Sequence, residues 1–177
     1  MGSVAKGLLK TPTNDETLIE RLLRICRTSI PAATLCLVGQ STSYAALELP
    51  QLQDDPTGVG PIGGLRSLLS YAKDSGSERA LALACDLPFL DETVLGLLNA
   101  PLASAARVPF VDGHFQPLAA AFSPIPTLAA VERTLAAGKF SLQRVLEELE
   151  SGVERLESDR VAASALRDWD TPEDLER

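Results

Sequence analysis

The sequence predicts an α/β fold with helices on both faces of a mostly parallel sheet that carries an antiparallel element. Three observations lead there. Apolar runs of strand length alternate with stretches of helical periodicity along the chain. Two of those runs, over 33–39 and 80–84, are continuously apolar or small, as in strands covered on both faces. The second run, Ala80-Leu81-Ala82-Leu83-Ala84, continues into Cys85-Asp86-Leu87-Pro88-Phe89-Leu90. A buried strand therefore delivers one carboxylate to its carboxyl end, where open α/β sheets bind ligands.

The elements follow in order. Thr13 to Glu16 has capping-box spacing, and Leu18, Leu22, Leu23 and Cys26 then recur on one helical face. The strand over 33–39 closes on Gly39. A short helix from Tyr44 to Leu47 precedes an extended piece over 51–53. The loop over 54–61 is rich in Asp, Pro and Gly, and the helix after it turns Leu65, Leu68, Leu69 and Ala72 inward. After the 80–84 strand come a helix near 91–98 and a strand over 106–111. Asp112-Gly113 is a hairpin-type turn into 116–122, which predicts an antiparallel strand appended to the parallel sheet. Helices are expected over 126–137 and 141–150, the second capped by Ser141. A last helix starts at Thr171-Pro172-Glu173-Asp174, with proline at its first position and acids in its first turn.

Composition bounds the function. At 177 residues and 45% hydrophobic content the chain is expected to form one domain over 1–177. A net charge of -8 and a pI near 4.7 argue against non-specific binding to nucleic acid or an anionic membrane, which need a basic footprint. The three cysteines, Cys26, Cys36 and Cys85, sit in separate apolar runs and read as reduced core residues, and without a CxxC or Cys/His cluster zinc is not expected. No apolar run approaches the roughly twenty residues needed to span a bilayer, and the start lacks a signal-peptide pattern, so a cytoplasmic location is expected. Asp86 is the first candidate metal ligand. The alternative is an acid that caps the turn or the helix beginning near Asp91.

Several short motifs, in this order and at this spacing, carry a family resemblance: Met1-Gly2 with Lys6-Gly7-Leu8-Leu9, Asp54 with Gly60-Pro61-Ile62-Gly63-Gly64-Leu65, Cys85-Asp86-Leu87-Pro88-Phe89, Gln116-Pro117-Leu118-Ala119, and Asp170-Thr171-Pro172-Glu173-Asp174-Leu175. With them the chain resembles the nucleotidyltransferases of molybdenum cofactor maturation, the molybdenum cofactor guanylyltransferases, over essentially its whole length. The resemblance implies a three-layer Rossmann-like nucleotidyltransferase fold. It also implies Mg²⁺-dependent transfer of GMP from GTP to molybdopterin, with release of pyrophosphate. GTP and molybdopterin are then the partners, with a molybdoenzyme or cofactor-insertion protein downstream.

The resemblance also distributes roles. Lys6 and Asp86 become the catalytic pair, Lys6 as a point charge on phosphate and Asp86 as the Mg²⁺ ligand. Lys6, Asp54, Gly60, Pro61, Gly63, Gly64 and Asp86 become nucleotide-binding. The glycines allow close backbone approach, and Asp54 accepts from guanosine donors, with Asp55 as the alternative if the register is off by one. Asp170 becomes a second metal ligand, or else part of the helix start that follows it. Asp168 reads as outward or structural, Trp169 as core or pocket wall, and His114 as a surface residue beside a turn. Arg66, Arg107 and Arg144 are each candidates for a phosphate. The family's glycine-rich phosphate loop, of the form GGxSxRMG, is represented here by its closing Met1-Gly2, and Ala5 stands where an aspartate is usual. A longer natural chain or a partner segment is therefore expected to supply the loop and its strand. The alternative readings are a catalytically silent or truncated nucleotide- or pterin-binding homologue, or a nucleotidyltransferase using CTP or a sugar-phosphate acceptor.

Overall fold

The computed structural model describes residues 6–11, 15–157, 161 and 163–166. The described chain begins in a 3-10 turn at Lys6–Leu8 and enters α1 (Leu18–Ser29). The helix starts at Thr17, whose hydroxyl accepts from the Glu20 backbone N–H at 3.3 Å, while the Glu20 carboxylate accepts from the Thr17 N–H at 2.9 Å. The capping box thus lies one turn beyond the expected one. Thr17-x-x-Glu20 has the same spacing as Thr13-x-x-Glu16 and directly precedes the apolar face. Glu16 holds Arg24 through two bonds of 2.9 and 3.0 Å. Thr13 lies outside the described residues.

The strand expected over 33–39 is shorter. β1 (Leu37–Val38) pairs in parallel with β2 (Gln51–Leu52), and a 3-10 helix, Thr42–Leu47, joins them. Then come α2 (Pro61–Asp74), β3 (Ala80–Leu83), α3 (Glu92–Asn99), β4 (Ala106–Val111), β5 (His114–Phe115), β6 (Ala119–Phe122), α4 (Pro124–Ala136), α5 (Leu142–Leu149) and β7 (Val153–Glu157). Ser141 caps α5, as expected, and Asp91 caps α3 by accepting from the Val94 N–H at 2.9 Å. The helix expected from Thr171 lies outside the described residues.

The sheet is mixed, and it carries the expected antiparallel element, but that element sits elsewhere than expected. β3, β4 and β7 run the same way, and β6 lies between β3 and β4, antiparallel to both. It is inserted into the sheet rather than appended to its edge. The reason is visible at Asp112-Gly113, where φ values of 50° and 81° make the tight turn whose twist suits a hairpin. β5 pairs with the end of β4, and the chain then leaves the ladder at Gln116-Pro117-Leu118, because proline has no N–H to give. It rejoins as β6 opposite the start of β4 and along all of β3. β7 was not expected from the sequence. Its Val-Glu-Arg-Leu-Glu run buries Leu156, exposes Arg155 and Glu157, and turns Glu154 to the buried Arg107 at 2.9 Å.

Two cores make three layers. On one face α1 and α3 bury Leu22, Ile25, Val94, Leu95 and Leu98 against Val111, Ala119, Ala121 and Leu156 of the sheet. On the other, α2, α4 and α5 bury Ile62, Leu65, Leu69, Val131 and Val145 against Ala80, Ala82, Val108, Ala120 and Phe122. β6 is therefore covered on both faces, and each fully buried leucine or phenylalanine contributes about 1.5–3 kcal/mol. The small residues of β3 and β6 let the helices approach closely. The β1–β2 pair and β3 both pack on α2, and Val38 at the end of β1 stands beside Gly64 in its first turn. Among the described residues, no helix is long and apolar enough to cross a membrane.

Candidate active site

The break between β5 and β6 creates the site. Leu83 of β3 is paired with Ala119, and one residue on, the Ala84 N–H donates to the Leu118 carbonyl at 2.7 Å. Beyond that bond the chains diverge, with Cys85-Asp86-Leu87 on one side and Gln116-Pro117-Leu118 on the other. Between them lies a cleft of about 210 Å³, lined by Ala84, Asp86, Leu87, Gln116, Pro117, Leu118, Ala119, Leu142 and Leu166. Asp86 thus stands past the carboxyl end of β3, with its side chain 22% exposed at the cleft.

Lys6 reaches the same place. Its Nζ lies 3.6 Å from Asp86 Oδ2, and its side chain is half exposed. With Lys6 this exposed, the pair contributes little to stability. The two segments also pack against each other beside the pair. Gly7 is buried between Tyr44 and Cys85: a Cβ on Gly7 would stand 2.7 Å from the Tyr44 hydroxyl and 3.4 Å from Cys85 Sγ. Tyr44, Gly7 and Cys85 are thus packed against one another. Burial raises the pKa of both Tyr44 and Cys85, and for Cys85 the neighbouring Asp86 charge adds to it, so the thiol stays protonated.

A second, shallower depression of about 500 Å³ is lined by Gln53, Asp54, Asp55, Pro56 and Thr57. Here the two candidate carboxylates separate. Asp55 is ion-paired to Arg66, whose Nε also bonds Glu132 at 2.7 Å. Asp54 lies beside the first turn of α2, its Oδ1 3.2 Å from where a Cβ on Gly64 would stand. Gly60 caps that helix at φ 76°, a conformation that favours glycine, and Pro61 occupies its first turn. Gly63 and Gly64 are buried, so they face the protein. A side chain on Gly63 would collide with the Pro56 carbonyl, and one on Gly64 with Val38 and Asp54. They bring α2 onto the loop and so set where Asp54 stands.

Lys6 and Asp86 are therefore brought together, and Asp54, Gly60, Pro61, Gly63 and Gly64 form a separate cluster along α2. Asp170, Asp168 and Trp169 lie outside the described residues. The arginines singled out in the sequence are engaged elsewhere. Arg107 is buried and donates to the Leu97, Ala100 and Pro101 carbonyls at 2.8–3.1 Å, closing the end of α3, and pairs with Glu154 at 2.9 Å. Arg144 pairs with Glu147, and Arg66 is taken as above. His114 is exposed, its Nδ1 2.9 Å from the Asp112 carbonyl, as a surface residue would be. Tyr44 is the site residue that the sequence did not reveal. It sits in a 3-10 helix 41 positions from Cys85 by number, and nothing local announces the contact.

With this geometry in view, comparison with known proteins becomes specific. Residues 1–155 match the family described as the MobA-like NTP transferase domain. The chain belongs to that family. Among its relatives is a molybdenum cofactor guanylyltransferase of Pseudomonas putida, 36% identical across 99% of this chain and 89% of that protein. A counterpart in Rhodobacter capsulatus is 29% identical over 94% of this chain and 83% of its own length. Among solved structures, molybdopterin-guanine dinucleotide biosynthesis protein A from Archaeoglobus fulgidus shares the fold at a TM-score of 0.74 and 22% identity, covering 97% of this chain and 87% of that one. The three-layer nucleotidyltransferase fold expected from the motifs is the one observed. As a MobA-like domain, the chain carries its Asp86 cleft at the ends of the strands, where ligands of open α/β sheets bind.

Proposed function

We propose that this MobA-like domain transfers GMP from GTP to molybdopterin, forming the guanine dinucleotide form of the cofactor and pyrophosphate. The observation that carries the reading is the 3.6 Å pairing of Lys6 with Asp86 at the mouth of the Gln116-Pro117 cleft. Membership of the family and the names of its guanylyltransferase relatives support it. In the transfer, a terminal phosphate oxygen of molybdopterin attacks the α-phosphorus of GTP. The bond from that phosphorus to the oxygen bridging to the β-phosphate breaks, and pyrophosphate leaves with the electron pair. Such chemistry asks the protein for positioning and charge stabilisation rather than for a covalent nucleophile.

The residues then divide the work. Lys6, half exposed beside Asp86, neutralises phosphate charge as a compact ammonium. The cleft wall of Gln116, Pro117, Leu118 and Leu142 takes the acceptor. Asp54, clear of the Arg66 pair, accepts from the N–H groups of guanine on the side away from the phosphates. Gly60, Pro61, Gly63 and Gly64 support that contact by seating α2 on the loop. Asp86 would hold Mg²⁺, with Asp170 as a second ligand. Among the described residues no three His, Cys, Asp or Glu side chains gather into a metal cage. The donor set therefore fits an ion that takes most of its oxygens from phosphates and water, as magnesium usually does, and the ion supplies charge neutralisation at the reacting phosphates.

The test supplies the protein with Mg²⁺, molybdopterin and either GTP or CTP and follows pyrophosphate and the dinucleotide product. Product from GTP at least tenfold faster than from CTP supports the assignment. Faster turnover of CTP refutes guanine recognition by Asp54, and no product from either supports the silent-homologue reading.

A further inference from the structure

We infer that Arg66 is a positioning residue of the base site: by pairing with Asp55 it masks that carboxylate and leaves Asp54 as the acceptor open to guanine. The inference deepens the transferase reading above and rests on it. Two neighbouring carboxylates, Asp54 and Asp55, line the depression of about 500 Å³. Left unpaired, both would face a ligand that is itself a polyanion. Arg66, early in α2, decides between them. Its Nη1 is ion-paired to Asp55, and its Nε donates to Glu132 of α4 at 2.7 Å. Holding Nε orients the rigid, planar guanidinium and so keeps its other arm on Asp55. The Asp54 side chain makes no hydrogen bond or ion pair among the described residues.

The backbone of the loop is held without Arg66. The Ser67 hydroxyl donates to the Gln53 carbonyl at 2.6 Å, and the Asp55 N–H donates to the Gly63 carbonyl at 3.2 Å. These two bonds flank Asp54 and fix the path of the chain through it. What Arg66 adds is therefore charge and direction at the Asp55 carboxylate. Exposed pairs of this kind contribute little to stability, so the consequence of the pairing falls on the ligand. Removing Arg66 returns a negative charge to the depression beside Asp54, where it opposes the phosphates of GTP. Glu132 is released as well, but it does not line the depression. Arg66 acts through Asp55 and needs no contact with the nucleotide.

The experiment is calorimetric titration of Mg·GTP into wild type, Arg66→Leu, Arg66→Lys, Asp55→Asn and the double variant Arg66→Leu with Asp55→Asn. Arg66→Leu should bind about fivefold more weakly at low salt, the upper end for one exposed ion pair, with the melting temperature little changed. The defect should shrink to less than about twofold in about 0.5 M KCl, because screening acts on a released charge and not on a misfolded loop. Arg66→Lys, which keeps the charge, should recover most of the loss. Asp55→Asn alone should bind as wild type does, and in the Arg66→Leu background it should restore binding, since the charge to be masked is gone. Wild-type binding by Arg66→Leu, or a defect that persists in the double variant, overturns the masking role. Weakened binding by Asp55→Asn alone also overturns it, because Asp55 would then take part in holding the base. A wild type that binds no Mg·GTP overturns the guanylyltransferase reading and this inference together, whereas the other adverse results, obtained with a wild type that binds, overturn this inference alone.

Discussion

Replacing Gly64 by alanine tests whether the first turn of α2 sets the position of Asp54. In an open helix interior the change from glycine to alanine stabilises by about 1 kcal/mol, because alanine loses less backbone freedom on folding. Gly96, exposed in α3 with nothing within 4 Å of a built Cβ, should show that gain in full. At Gly64 the same Cβ would stand 2.7 Å from Val38 Cγ1 and 3.2 Å from Asp54 Oδ1. Overpacking of that kind costs about 1–3 kcal/mol. Subtracting the propensity gain leaves Gly64→Ala between neutral and about 2 kcal/mol destabilised. The difference between the two variants, about 1–3 kcal/mol, is free of the propensity term because both carry it. For a chain of this length each kcal/mol moves the melting temperature by about 2–4 °C. Thermal melts of Gly64→Ala and Gly96→Ala measured side by side therefore read the crowding directly. Steady-state kinetics on the same preparations should show a raised KM for GTP in Gly64→Ala with kcat retained, since the side chain displaced is the one assigned to the base. A Gly64→Ala protein that gains as much stability as Gly96→Ala and binds GTP normally would refute the reasoning.

Further outcomes follow from the same structure. Thr17→Ala should destabilise by about 1 kcal/mol, as loss of an N-cap usually does, checked by urea titration. Cys26, Cys36 and Cys85 all have thiol pKa values raised by burial, so the folded state holds their protons more tightly than the unfolded state. Their contribution is fully present below the ordinary thiol value of about 8.5 and is lost as pH rises through the higher folded values. Urea midpoints should accordingly fall between neutral and strongly alkaline pH, and less so in a variant with Cys26 and Cys36 changed to alanine. Arg107→Ala should be among the most destabilising single changes, about 3–5 kcal/mol, because it strips the end of α3 of three carbonyl contacts and leaves Glu154 without its buried partner. Calorimetry that finds Arg107→Ala within about 1 kcal/mol of wild type would contradict that placement.

Much of the fold was legible because local signals agreed with one another. In α2, glycine and proline open the helix and Leu65, Leu69 and Ala72 follow at helical spacing, so start and buried face were both readable. β3 announced itself as an apolar run ending in Asp86. The misplaced capping box shows the limit of a short pattern: two Thr-x-x-Glu sets stand four residues apart, and the choice between them is made by which one directly precedes the apolar face that packs on α3. The position of β6 could not be read locally, since a strand inserted between β3 and β4 is decided by pairing at long range. β7 escaped notice because an alternating charged strand paired along one side looks like solvated loop.

The site was legible in its parts and not in its assembly. Asp86 followed from strand chemistry, and Lys6 and Asp54 from resemblance. The preference for Asp54 over Asp55 in the proposed reading rests on the Arg66 pair, and the packing of Gly7 against Tyr44 and Cys85 needs three distant segments to be brought together. Arg107 looked like a free cation in sequence, yet it is buried, because β4 lies where its guanidinium reaches the end of α3.

The central claim is that Asp86, beside Lys6 in the Gln116-Pro117 cleft, stabilises charge during nucleotidyl transfer. Its most direct test is the single-turnover rate of pyrophosphate release from Mg·GTP and molybdopterin by wild type and Asp86→Ala, with equal melting temperatures confirming that both are folded. Loss of a transition-state charge stabiliser should slow release by about two to three orders of magnitude. A rate for Asp86→Ala within about threefold of wild type would contradict it.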